Sequence, residues 1–172
     1  RGAHVTLVNA SVSVEPPMFV DVVNVTSAAD MADVVKSKAA EQDIIIMTAA
    51  VADFCPSHPA DEKIKKNDSS YESVIELERT EDILSYLGAH KAKGQLICGF
   101  SMETQNMLEN SKAKLAKKNA DMIVANNLKV AGAGFGTDTN VVTLITADDC
   151  TELEIMDKSC VAARIMDRLL QM

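Results

Sequence analysis

The chain has no tryptophan, and aromatic residues make up 3% of its 172 positions. Any core must therefore be aliphatic, assembled from Ile, Val, Leu, Ala and Met. The four cysteines, Cys55, Cys98, Cys150 and Cys160, show neither CxxC nor Cys/His metal spacing. Cys98 falls in an apolar strand and Cys160 in an apolar helix, where thiols act as small hydrophobes. Free thiols in a reducing cytoplasm are the expectation. No apolar run reaches the length of a membrane span, so no membrane is expected, and no signal peptide is read. Basic charge is in deficit, with Lys+Arg 17 against Asp+Glu 25 and a net charge of −8. That speaks against a generic nucleic-acid binder, which needs a basic face. No GxGxxG opens a helix after a strand, and no nucleophile–base set stands out.

What is present is 47% hydrophobic, which excludes disorder, and long enough for one domain over residues 1–172. Continuous or alternating apolar runs predict strands at Val5–Val8, Val20–Val25, Asp43–Ala49, Tyr71–Glu78, Gln95–Gly99 and Asp121–Ala125. Helices are predicted over Ala28–Ala40, capped by Thr26 or Ser27, over EDILSYLGAH after a capping Thr80, and over Glu103–Asn119. In the last of these, Met107, Leu108 and Leu115 face inward. Val141–Thr146 and Glu152–Met156 form an expected terminal β pair, and Lys158–Leu170 a closing helix. The alternation implies an α/β fold: a Rossmann-like, mainly parallel sheet with helices on both faces and a C-terminal antiparallel β extension. Arg1-Gly2-Ala3 reads as the end of a helix entering a strand, so the domain is expected to begin before Arg1.

The most informative stretch is Thr48–Lys66, TAAVADFCPSHPADEKIKK. A buried strand ends in small residues and Asp53, a loop bearing Pro56 and Pro59 follows, and Lys63, Lys65 and Lys66 come next. In α/β proteins ligands bind where parallel strands end. Lysines on such a loop meet an anion such as a triphosphate, although a KxKK alone is equally a solvated surface. Four loops share that predicted edge: Thr48–Lys66, Thr80–Leu84, Gly99–Glu103 and Asn126–Asn140. Glu81 and Asp82 either bind sugar hydroxyls or cap their helix. Lys114 and Lys118 share a helix face, with Lys117 beside them, as a cationic wall or a solvated face. His58 reads as a solvated loop histidine. The run Gly132–Gly136 precedes an extended segment and reads as a turn, after which Asp138 and Asn140 cap or bind. No acids show a trusted metal spacing. Holding a triphosphate and neutralising its charge is the chemistry that fits.

In order along the chain, RGAHVTLV, TAAVADF, EKIKK, TEDIL, GFSMET, KxxADMIVAN and FGTDTN resemble bacterial phosphopantothenoylcysteine synthetase, the CTP-dependent phosphopantothenate–cysteine ligase of coenzyme A biosynthesis. The resemblance implies that 4′-phosphopantothenate attacks CTP to give an acyl-cytidylate and pyrophosphate, and that cysteine then displaces CMP. It implies Mg²⁺ with the nucleotide, a cytoplasmic homodimer and a fused or separate flavin-dependent decarboxylase. By motif it assigns Lys63 to the triphosphate and the cysteine step. It assigns Met47, Thr48, Ala49, Asp53, Glu81, Asp82, Ile83, Leu84, Phe100, Lys114 and Lys118 to the nucleotide. Thr80-Glu81 stand where the family often has Asn-Pro. An SNxSSGKMG-like segment precedes RGA in the family and is not in this chain, so a catalytically incomplete nucleotide-binding fragment is one alternative reading. An NAD(P) oxidoreductase is the other. The apolar β-rich segment Ala131–Met156 is a second ground for a homodimer, because a β pair leaving the sheet needs cover for its edges.

Overall fold

The computed structural model describes residues 2–10, 12, 14–60, 62–63, 74–103, 106–127, 134 and 136–172. The chain divides into two compact units. One comprises Arg1–Val35 and Ala50–Asp82, the other Lys36–Ala49 and Ile83–Met172.

In the first unit, β1 (Thr6–Ala10) runs parallel to β2 (Asp21–Val25), with Thr6 opposite Asp21. Ser27 caps α1 (Ala28–Ala39) through a reciprocal pair. Asp30 N–H donates to Ser27 Oγ at 3.0 Å, and Ser27 N–H donates to the Asp30 carboxylate at 2.9 Å. This is the side-chain exchange that satisfies free amides at a helix start. Past the strand-end motif, β4 (Phe54–Pro56) pairs antiparallel with β5 (Leu77–Arg79). The expected proline loop therefore contains a strand. Pro56 is tolerated because its pair with Leu77 is a non-hydrogen-bonded one, the ladder continuing through Ser57 N–H to the Glu76 carbonyl. The expected strand Tyr71–Glu78 survives only as its last two positions, extended to Arg79; residues 71–73 lie outside the described residues.

The second unit is built on a five-stranded sheet of order β10-β9-β7-β6-β3. Its parallel part is β3 (Ile44–Met47), β6 (Leu96–Glu103) and β7 (Met122–Asn127). Beyond β7 lie β9 (Val142–Ile145) and β10 (Cys150–Glu152), both antiparallel to their neighbours. Two short strands, β8 (Thr139–Asn140) and β11 (Met156–Asp157), pair with one another. Helices α2 (Ile83–Ala89), α3 (Met107–Lys117) and α4 (Lys158–Leu169) cover the sheet.

Side-chain alternation along β7 divides the core in two. Met122 and Val124 join Cys98, Val142, Leu144 and the α4 residues Val161, Ile165 and Leu169. Ile123 and Ala125 join Ile145 and Leu115, with Leu84 of α2 and Met107 of α3 packed against them. Helices thus lie on both faces, and the expected fold class stands. Leu108, expected to face inward, is 45% exposed. Cys98 is fully buried as expected, but Cys160 is exposed: it lies on the outer side of an amphipathic helix.

Two boundaries moved for the same reason. β6 runs to Glu103, where a helix start was expected, because Met102 and Glu103 find partners in Asn126 and Asn127. Tertiary pairing overrides the weak strand propensity of those residues. Likewise VVTLIT does not leave the sheet. Its residues 142–145 are at most 4% exposed, enclosed between β7 and β10. The ground it offered for a homodimer, a β pair leaving the sheet, does not hold, since the pair joins the sheet with β10 as its outer strand.

Candidate functional site

Of the parallel strands of the second unit, β3 ends first, at Met47, while β6 and β7 run on side by side to Glu103 and Asn127. Met47 lies opposite Gly99, and Gly99 opposite Ile123, so one step further along β6 Phe100 pairs with Val124. Phe100 and its neighbours to Glu103 are strand, so the expected loop Gly99–Glu103 is instead the extended tip of β6. Gly99 leaves room there for close packing of side-chain ends. A Cβ added to it would stand 2.7 Å from Leu84 Cδ2 and 3.1 Å from Ile123 Cδ1. Leu84 of the TEDIL motif is thereby seated directly over the glycine of the GF motif.

The paired lysines divide their work. Lys114 Nζ donates to the Phe100 carbonyl at 2.9 Å, a part-buried contact that brings an ammonium to β6 one residue past the level where β3 ends. Lys118 Nζ donates to Ser85 Oγ at 3.0 Å, on the first turn of α2. Helices α2 and α3 approach so closely that a Cβ on Gly88 would fall 1.8 Å from the Lys118 carbonyl oxygen. Asn119, in the left-handed conformation at φ 48°, closes this contact by donating Nδ2–H to the Gly88 carbonyl at 2.7 Å. Met47, Leu84, Phe100, Lys114 and Lys118 therefore belong to one packed arrangement, although they span much of the sequence. Ile83, also assigned by motif, is 4% exposed and is core.

In the first unit, Thr80 does not cap α2. Its N–H donates to the Asp53 carbonyl at 3.0 Å, and its hydroxyl donates to the Ala52 carbonyl. The ADF and TEDIL motifs are thus stitched together through backbone oxygens, with Arg79 Cζ 5.6 Å from the centre of the Phe54 ring. Glu81 and Asp82 follow Thr80, ahead of the α2 start at Ile83. The β4–β5 ladder is prolonged by Ser57 N–H donating to the Glu76 carbonyl at 3.0 Å, beyond which the sequence 58–75 links the two strands. Lys63 lies on that segment and is exposed; Lys65 and Lys66 are outside the described residues. His58 is an exposed residue 3.9 Å from Glu76, as its solvated reading requires.

A cavity of about 410 Å³ opens beside the strand ends of the second unit. Thr48 and Phe100 line it, joined by Asn126, Asn140 and Lys158, with Val161 and Ile165 of α4 as an apolar wall. Asn140 Nδ2 donates to Asn126 Oδ1 at 2.8 Å, and Val141 N–H donates to Asn140 Oδ1 at 2.9 Å. Lys158 carried no signal in the sequence beyond opening a helix. Only the return of β8 and β11 past the β7 terminus brings it here. The glycine run is a turn where described. Gly134 and Gly136 have φ of 109° and 71°, and Gly134 N–H donates to the Thr139 carbonyl at 3.1 Å. It leads into β8 instead of opening a helix. Gly132 is outside the described residues.

Among the described residues no group of three His, Cys, Asp or Glu side chains could hold a metal. None of the described helices is long and apolar enough to cross a membrane. All four cysteines are free. Burial, with the Asp121 carboxylate adding to it, pushes the Cys98 thiol pKa up to about 12.

A parallel sheet with helices on both faces, continued by antiparallel strands at one edge, defines an α/β domain of Rossmann-like type. A family model described as the DNA/pantothenate metabolism flavoprotein C-terminal domain matches residues 1–172, and the chain belongs to that family. It is similar to the coenzyme A biosynthesis bifunctional protein CoaBC of Bacillus subtilis (strain 168), at 45% identity over 170 residues. That match covers 98% of this chain and 41% of the relative. A cysteine/cysteine sulfinic acid decarboxylase from an unknown prokaryotic organism is 44% identical over 171 residues, covering 98% of this chain and 47% of the relative. The crystal structure of the C-terminal domain of a CoaBC protein superposes with a TM-score of 0.80 at 41% identity, covering 99% of this chain and 76% of that one. The chain spans less than half the length of these two curated relatives. The family resemblance read from the ordered motifs is borne out.

Proposed function

We propose that this domain is the phosphopantothenate–cysteine ligase of coenzyme A biosynthesis and uses CTP through an acyl-cytidylate. The observation that carries the proposal is the packing of the TEDIL and GF motifs, with Lys114 on the Phe100 carbonyl, at the level where β3 ends. In this reading the carboxylate of 4′-phosphopantothenate attacks the α-phosphorus of CTP. An oxygen–phosphorus bond forms, and the bond to the bridging oxygen breaks as pyrophosphate leaves. The cysteine amine then attacks the acyl carbon, CMP departs with the electron pair of the broken carbon–oxygen bond, and the amine proton passes to water.

The domain's contribution is position and charge. Met47, Thr48 and Ala49 offer strand-end backbone to the nucleotide, with Asp53, Glu81, Asp82, Ile83 and Leu84 assigned to it by motif. Phe100 supplies an aromatic surface, and Lys114 and Lys118 supply positive charge. Lys63 meets the triphosphate from the β4–β5 segment. Magnesium fits as an ion carried by the triphosphate, since it keeps waters and substrate phosphates in its shell and needs few protein ligands. The preference for CTP over ATP, the homodimer and the flavin-dependent decarboxylase partner rest on the family resemblance. The cytoplasm rests on the free thiols.

Replacing Lys63 by Gln tests the reading. Loss of a charge-assisted contact lowers ligation by roughly 10- to 100-fold. Because Lys63 is exposed, circular dichroism and melting temperature stay as in the parent. Near-normal ligation by Lys63→Gln removes the residue from the mechanism.

A further inference from the structure

We propose that the cavity beside α4 is the subsite for the incoming amino acid, with the carboxylate of that substrate on Lys158 and its short side chain against Val161 and Ile165. This rests on the ligase reading and adds the place of its second substrate. The cavity, about 410 Å³, exceeds what one small zwitterion needs. None of its nine described lining residues is acidic, in a chain with Asp+Glu 25, and one of them is a lysine. Among the described residues Lys158 forms no ion pair; its backbone N–H donates to the Asp138 carbonyl at 2.9 Å, which anchors the base of the side chain.

A single ammonium, as the described lining residues offer, matches a monoanionic carboxylate, whereas phosphate esters draw several donors. The α4 wall is apolar and suits a CH₂–SH group. The bonded pair Asn126–Asn140 gives the rim a fixed polar edge. Thr48 and Phe100 belong both to this cavity and to the strand ends assigned to the nucleotide. An amine held here therefore lies beside the position of the acyl-cytidylate. A second cavity, about 480 Å³, is lined by charges of both signs, among them Arg168 at 3.5 Å from Asp149.

Lys158→Ala is the test, with two readouts. Phosphopantothenate-dependent exchange of labelled pyrophosphate into CTP, without cysteine, reports acyl-cytidylate formation. Amide formation at varied cysteine reports the second step. The expected result is a rise of about tenfold or more in the KM for cysteine, recovered largely by Lys158→Arg, with the exchange KM values for CTP and phosphopantothenate in place. Exchange with an unmoved cysteine KM overturns this inference alone, as does a rise confined to CTP or phosphopantothenate. Absence of exchange in the unmutated protein overturns the ligase reading and this inference with it.

Discussion

Replacing Gly88 by Ala is informative because its sign is inverted relative to the usual rule. In an exposed helix interior the change stabilises by about 1 kcal/mol, since alanine has the better helix propensity. At Gly88 the new Cβ would lie 1.8 Å from the Lys118 carbonyl oxygen and 2.8 Å from its carbon. Both are backbone atoms, so no side-chain rotation relieves the clash. Helices α2 and α3 must separate by roughly 1.5 Å to restore ordinary contact. That displacement stretches the 2.7 Å bond from Asn119 Nδ2 to the Gly88 carbonyl. Overpacking costs about 1–3 kcal/mol, and the lost hydrogen bond costs about 1 kcal/mol. After the propensity gain the net is a destabilisation of about 1–3 kcal/mol. For a chain of this length that lowers the melting temperature by roughly 3–10 °C. Calorimetry on Gly88→Ala measures it. A melting temperature equal to or above the parent's refutes the close approach, and with it the account of how Lys118 is held against Ser85.

Asp121→Ala removes the 2.8 Å ion pair with Lys91 and the acceptor for Ile97 N–H at 2.7 Å, both part-buried. Urea denaturation should show a loss of about 2–4 kcal/mol, and an unchanged midpoint contradicts the role of Asp121 in joining β6 to β7. Hydrogen bonds from Ser27 and Thr26 hold the Asp30 carboxyl below its ordinary pKa. A depressed folded-state pKa gives stability that is present above the unfolded value of about 3.9 and is lost as pH falls through the folded one. Asp30→Asn should therefore flatten the acid limb of the melting curve below about pH 4, and an unaltered limb shows that the cap is not coupled to folding. Cys98, buried and with its pKa raised to about 12, should resist alkylation in the native state while the exposed Cys150 and Cys160 react; mass mapping that finds Cys98 labelled first contradicts this burial.

The layers of this fold were legible because continuous apolar runs mark strands: DMIVA is covered on both faces, and DIIIM is strand too, although Ile46 in the outer strand β3 is 36% exposed. What resisted reading was long-range pairing. The tip of β6 is strand because β7 lies beside it, and no local preference of Ser101, Met102 or Glu103 announces that. β4 is hidden in a stretch that ends in proline, and its partner Leu77–Arg79 is distant in sequence. Thr80 has the composition of a helix cap and was read as one, yet it binds the Ala52 and Asp53 carbonyls. At the site, Phe100, Lys114 and Lys118 were readable from motif and helical spacing. Asn126 and Asn140 were visible only as strand-end and loop residues, and Lys158 enters the cavity through strand pairing that local sequence does not encode.

The central claim is that this domain activates a carboxylate with CTP and passes it to cysteine. The direct measurement supplies the protein with CTP, Mg²⁺, 4′-phosphopantothenate and cysteine, and follows pyrophosphate together with phosphopantothenoylcysteine by mass spectrometry. The account predicts pyrophosphate and amide in equal amounts, dependent on phosphopantothenate and greater with CTP than with ATP. Pyrophosphate release that ignores phosphopantothenate, or equal or better turnover with ATP, contradicts it.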